Sequence, residues 1–186
     1  MPIFGPFDFD SEDTTDTSGD FGWATGGALS GTDADAVTSA SAAPAGNTHK
    51  LKLIGVSAAT GVVASGSYDR VIVEIRKADP VPGSVQDRSI RLALSGSLIG
   101  NELADTVTNW PGSLGAYTEY VFDNLVLTEA DVPNLEAWIS ATCAPDFGFD
   151  AQLEHVRVSV ERTVVSAPPL PISRGAFWLM MLAQQK

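Results

Sequence analysis

The sequence is poor in the side chains that build most catalytic and metal centres. A single cysteine, Cys143, rules out an intrachain disulfide and any multi-cysteine zinc site. Two histidines, His49 and His155, leave little for a histidine-based metal site or triad. Positive charge is scarce as well: 11 Lys and Arg stand against 23 Asp and Glu, a formal net charge of -12. Binding nucleic-acid phosphates needs clustered Lys and Arg, so no nucleic-acid partner is expected. No run of about 18 apolar residues exists, so no membrane span is expected. Met1-Pro2-Ile3-Phe4-Gly5-Pro6 has neither a basic nor an apolar leader region, so no secretory signal is expected either. Nucleophile elbows, phosphate-cradling glycine loops and His-Glu-x-x-His are all missing, and no cofactor or metal is expected.

What remains is a chain of 186 residues, 44% hydrophobic, long enough to bury roughly 70% of its unfolded surface in one domain. Its charge is unevenly placed. No Lys or Arg precedes Lys50, whereas Asp8, Asp10, Glu12, Asp13, Asp16, Asp20, Asp33 and Asp35 all do. Residues 1–35 therefore read as an acidic, aperiodic N-terminal arm. Phe4, Phe7 and Phe9 interrupt it, and three aromatics in so short a span need somewhere to dock, on a neighbour or on the chain's own domain.

Alternation dominates the middle of the chain. Val71, Val73 and Ile75 face one way while Glu74 and Arg76 face the other. Ile90, Leu92 and Leu94 repeat the pattern, and Val156, Val158 and Val160 repeat it again with polar residues between. Such period-two segments are strands with one buried face. Further strands are expected at Val37–Ser41, Leu51–Val56, Tyr117–Phe122 and Glu136–Thr142, with turn clusters between them. A helical turn is expected at Thr128–Val132, capped by Thr128 and stopped by Pro133. The expected fold is all-β: an antiparallel β-sandwich, jelly-roll-like, over residues 36–165, with extended N- and C-terminal arms. After it, Ala167-Pro168-Pro169-Leu170-Pro171 reads as a stiff connector. It leads to an uncharged run holding Phe177, Trp178, Leu179, Met180, Met181 and Leu182. Residues 166–186 thus read either as a docking tail for another subunit or as a cover for the sandwich's own edge.

Few side chains suggest a site. Asp8, Asp10, Glu12 and Asp13 are spaced like part of a calcium loop. They lack its glycine at position six and its glutamate at position twelve, which leaves a solvated or partner-facing acidic segment. Asp33 and Asp35 read as turn caps. His155, alternating outward beside Arg157, reads as a surface histidine rather than a catalytic base, and Cys143 as a small core residue. Trp110, in Asn109-Trp110-Pro111-Gly112, allows two readings: a platform for glycan stacking, or a plug folded under its loop with Pro111 and Leu114. Carboxylate pairs for glycoside cleavage need no sequence adjacency, but nothing points to one.

The order of segments is more telling than any one of them. Tyr68–Ala78, with its Val71-Ile72-Val73-Glu74-Ile75-Arg76-Lys77 strand, precedes Val85-Gln86-Asp87-Arg88-Ser89-Ile90-Arg91-Leu92. Ile99-Gly100-Asn101-Glu102-Leu103-Ala104, Trp110-Pro111, Leu127-Thr128-Glu129-Ala130-Asp131-Val132 and the strands Ala137–Thr142 and Leu153–Glu161 follow. Over residues 20–162 this series resembles a β-sandwich domain of structural proteins from tailed bacteriophages and prophages. Asn124-Leu125-Val126-Leu127 and Glu136-Ala137-Trp138 depart from its pattern. The resemblance implies a non-enzymatic virion protein, with no catalytic residues to carry over. The expected role is a capsid decoration (cement) protein, acting as a homo-oligomer, a trimer, on the major capsid protein. It would be assembled into the virion in the host cytoplasm and docked through Phe4, Phe7, Phe9 and Phe177–Leu182. The alternative is a collar spike or tail-fibre module binding host glycans near Trp110.

Overall fold

A computed structural model describes residues 2–23, 38–42, 45–64, 66–81, 83–144 and 149–162. In chain order its strands are Ile3–Asp8 (β1), Ser11–Asp13 (β2), Thr38–Ala42 (β3), Gly46–Asn47 (β4), Leu51–Ile54 (β5), Ser67–Tyr68 (β6) and Arg70–Ala78 (β7). Val85–Leu94 (β8), Ser97–Ile99 (β9), Thr118–Phe122 (β10), Leu127–Thr128 (β11), Leu135–Cys143 (β12) and Phe149–Glu161 (β13) follow. Every pairing between named strands is antiparallel.

The strands form two main sheets. One runs β1-β13-β7-β10, with β3 also on β13; the other runs β2-β5-β12-β8-β9, with β4 also on β12. Each is organised on one long strand, β13 or β12, whose two sides are both paired. Alternation decides which face turns inward. Val71, Val73, Ile75, Val156, Val158 and Val160 of the first sheet are fully buried, and so are Leu51, Leu53, Leu92, Leu135 and Ile139 of the second. All belong to one apolar cluster, so the sheets pack face to face as an antiparallel β-sandwich. Among the expected core residues Leu94 is the exception, only half buried at the end of β8.

Residues 3–13 do not form an extended arm. β1 pairs with β13 and β2 with β5, so residues 3–13 cross from one sheet to the other and close that flank. Phe7 and Phe9 lie in the chain's own core at 9% and 2% exposure, and Phe4 packs edge-on against Tyr68 at 5.8 Å. Docking of these rings on a neighbouring subunit is thereby replaced by burial in the same sandwich, each full burial contributing about 1.5–3 kcal/mol. Gly5 lets β1 come close. Its φ is +117°, and a Cβ there would stand 2.9 Å from the Val158 carbonyl oxygen.

Local differences from the expected elements have simple causes. The turn at Thr128–Val132 is set by Asp131, whose carboxylate accepts from the Thr128 amide and hydroxyl, both at 2.7 Å. Pro133 then sits inside a 3₁₀ turn, Val132–Asn134, instead of ending a helix. Asp33, Asp35 and the run Phe177–Leu182 lie outside the described residues.

Candidate functional site

The flank opposite the N-terminal crossing is built differently. Strand β10 forms the edge of one sheet. Across from it the 101–111 loop runs irregularly along β8: the Leu103 amide donates to the Ile90 carbonyl at 3.2 Å, and the Trp110 amide to the Val85 carbonyl at 2.8 Å. Between loop and strand lies a cleft of about 340 Å3, lined by Lys77, Leu103, Asp105, Asn109, Pro111 and Tyr120 among others. A smaller one of about 210 Å3 continues along β10 to Asn124 and shares Leu103.

A buried polar cluster floors the larger cleft. Lys77 extends the inward series Val71, Val73, Ile75 by one more alternation and is 6% exposed. Asp87 reaches the interior through a bulge in β8. Ser140 pairs with Ser89 but Ala141 with Asp87, which leaves Arg88 as the extra residue. Inward positions are therefore Val85 and Asp87 before the bulge, and Ile90 and Leu92 after it. The Lys77 Nζ donates to Asp87 Oδ1 at 2.6 Å and to the Tyr120 hydroxyl. Tyr120 in turn donates to Asp87 Oδ2 at 2.5 Å. Trp110 Nε1 donates to Oδ1 at 2.7 Å and the Asp105 amide to Oδ2 at 3.2 Å. The ammonium also faces the rings of Trp110 and Tyr120, at 5.0 and 5.1 Å from their centroids.

Burial lowers the Lys77 pKa from its ordinary value, against the opposing pull of Asp87. It raises that of Tyr120, with the Asp87 charge adding to the effect. Asp105, at the cleft rim, is lowered to about 2, chiefly because Thr108 and Val107 donate hydrogen bonds to it. The arrangement is a neutralised ion pair whose carboxylate already accepts four hydrogen bonds. Chemically it fastens the 101–111 loop to the sandwich; it offers no free base.

A second cluster lies on the outer face of the β13 sheet. The Asp8 carboxylate contacts His155 Nε2 at 2.8 Å, and the Tyr117 hydroxyl contacts His155 Nδ1 at 2.7 Å. Arg157 caps the Tyr117 ring at 4.0 Å and holds Glu74 through two bonds of 2.9 and 2.8 Å. His155 thus points outward as its alternation requires, but Asp8 and Tyr117 cover it to 8% exposure, which corrects the expectation of a surface histidine. It clasps the N-terminal strand and the loop before β10 to β13.

The other sequence candidates resolve as follows. Trp110 is 3% exposed beneath Lys77, so it plugs its loop and presents no face to a glycan. Cys143 is buried, and burial pushes its thiol up to about 11. Asp10 accepts from the Ser57 amide and hydroxyl at 2.8 and 2.7 Å, and Asp13 from Thr15 and Lys52. These carboxylates hold turns, and among the described residues no group of three His, Cys, Asp or Glu is placed to bind a metal ion. The sequence reading missed Lys77 and Asp87. The signal for Lys77 was present, since it falls in phase with three core residues; nothing local announced the bulge at Arg88.

No family model and no curated protein matches the chain. Among solved structures it is similar to chitosan-binding module 1 derived from a chitosanase/glucanase of Paenibacillus sp. IK-5. That likeness covers 83% of this chain and 98% of the module at 9% identity, with a TM-score of 0.37. It is too slight to bear on ligand or role.

Proposed function

We propose that the chain is a non-enzymatic structural protein of a virion, a capsid decoration (cement) protein that stabilises the head through the major capsid protein. The observation that carries the non-enzymatic reading is the saturation of the buried charges. Asp87 accepts four hydrogen bonds, and Lys77 and Tyr120 are tied to it, so none of these three groups is left free to exchange a proton with a substrate. The virion assignment rests on the resemblance of the ordered segments, which supply β7, β8, the 101–111 loop, β12 and β13. A cement protein adds buried area across capsomer junctions without chemistry, and a homo-oligomer, a trimer, suits such a junction. Phe177–Leu182, beyond the stiff Ala167–Pro171 connector, is the proposed docking segment.

Comparing this polypeptide with the major capsid protein on a stained gel of purified particles tests the reading. Near-stoichiometric amounts are expected, and absence from the particles overturns it. A chain lacking residues 166–186 should melt like the full protein yet fail to join particles. Cleavage of a host polysaccharide, lost on a single Asp or Glu substitution, would refute the non-enzymatic half.

The cleft under the 101–111 loop favours one second reading, a collar spike or tail-fibre module binding host glycans. Its contacts would then be Asn109, Thr108 and Pro111 in place of Trp110. A copy number far below that of the capsid protein, with glycan-dependent adsorption, would select it.

A further inference from the structure

We propose that the open edge of β10 is a docking groove for an extended, basic peptide segment, which adds to the sheet as a further strand. The proposal does not depend on the virion reading. β10 pairs with β7 on one side, Thr118 to Ile75 through Phe122 to Val71; on its other side no strand pairs with it among the described residues. Alternate N–H and C=O groups along a strand of five residues, roughly 17 Å long, therefore point away from the sheet, which is the template that strand addition uses.

Sheet edges are commonly hidden by a covering loop. Here the 101–111 loop stands off instead, and the two clefts run end to end along β10 with Leu103 at their junction. Tyr120 and Phe122 line this groove from the β10 side but are 6% and 2% exposed, so an incoming strand would be held by backbone pairing and charge.

Charge selects the occupant. Asp105 and Glu119 line the groove, and neither forms an ion pair with Lys or Arg among the described residues. The cation at the cleft floor, Lys77, is already bound to Asp87. Glu119 also lies directly across the ladder from Glu74, a like-charge pair that destabilises the edge. Glu74 has Arg157, whereas Glu119 has no such partner, so a lysine or arginine of the incoming strand would relieve the repulsion.

The test uses the full chain and a short fluorescein-labelled peptide of alternating lysine and valine. Its controls are a twin N-methylated at alternate residues, which keeps side chains and charge but cannot pair, and a glutamate–valine peptide. Anisotropy should show binding of the first and at least a roughly tenfold weaker affinity for the twin, with none for the acidic peptide. Amide exchange should slow within Thr118–Phe122 when the lysine–valine peptide is added. Glu119→Lys, which replaces the repulsion from Glu74 by attraction and should fold at least as well, is expected to weaken binding about tenfold. Equal binding of the N-methylated twin, or protection elsewhere in the chain, overturns the proposal. So does protection, without peptide, of those β10 amides that point away from β7: at every protein concentration this means the chain covers its own edge, and only at high concentration that a second copy does.

Discussion

The two flanks of the sandwich are closed by opposite means. On one side residues 3–13 pass from the β13 sheet to the β12 sheet, and Phe7 and Phe9 fill the gap with apolar surface. On the other no strand crosses among the described residues, and the 101–111 loop is held by a buried ion pair with two aromatic hydrogen-bond donors. The first device gains from removing apolar surface from water. The second sets a desolvation cost against Coulomb attraction, and its net gain in stability is small even where loss of one member is severe. Apolar closure stabilises; polar closure fixes where a loop lies and leaves a cleft beside it.

Deleting residues 2–13 should have the largest effect, because it strips an edge strand from each sheet and exposes both sides of the core. No cooperative melting transition is expected by calorimetry; a transition within a few degrees of the full chain would mean that this flank is dispensable. Asp87→Asn should come next. It leaves the Lys77 ammonium buried without its counter-charge, at a cost of about 3–5 kcal/mol in chemical denaturation. The double replacement Lys77→Met with Asp87→Leu should restore most of that loss while loosening the 101–111 loop, seen as faster amide exchange at Leu103 and Trp110. A double variant as unstable as the single one would mean that the polar closure does stabilise the fold.

Phe9→Ala is expected to cost about 3–5 kcal/mol, and Phe4→Ala, at a half-buried ring, clearly less. Equal losses would show that edge contacts matter as much as the core. The smallest effect concerns acid. Asp105 has its pKa lowered from 3.8 to about 2 in the folded chain, so its contribution is complete above 3.8 and fades as pH falls toward 2. Exchange at the Val107 and Thr108 amides should accelerate in that window while the amides that pair β1 with β13, on the other flank, hold. A uniform loss across both flanks would tie it to global unfolding instead.

Strands with a clean period of two could be read from sequence because one buried face demands it; β7 and β12 emerged close to their expected bounds, whereas β8 and β13 begin well before their alternating stretches. Residues 3–13 did not. Their acidic residues and Pro6 resemble a solvated arm, and only pairing with β13 and β5, far along the chain, turns Phe7 and Phe9 inward. The candidate site was half visible. Lys77 falls in phase with its apolar neighbours, but a lysine on a core face is normally discounted. Asp87 depends on a bulge that no local residue encodes, and Trp110 acquires its role as a plug only once Asp87 is there to accept from it.

The pairing of β1 with β13 joins residues 3–8 to residues 157–161, and the Arg162 amide donates to the Pro2 carbonyl at 3.3 Å. A ribosome making this chain therefore releases its first strand long before the strand that receives it exists. Phe7 and Phe9 must wait in solution, or on a chaperone, until β13 has been made. Contacts of such long sequence separation slow the search for the native state, so folding should compete with aggregation. Bringing residues 2 and 162 together also suits the sandwich to circular permutation. Linking residue 162 to residue 2, with 163–186 left out, and opening the backbone within the exposed 112–116 loop would place β1 directly after β13 and should speed folding.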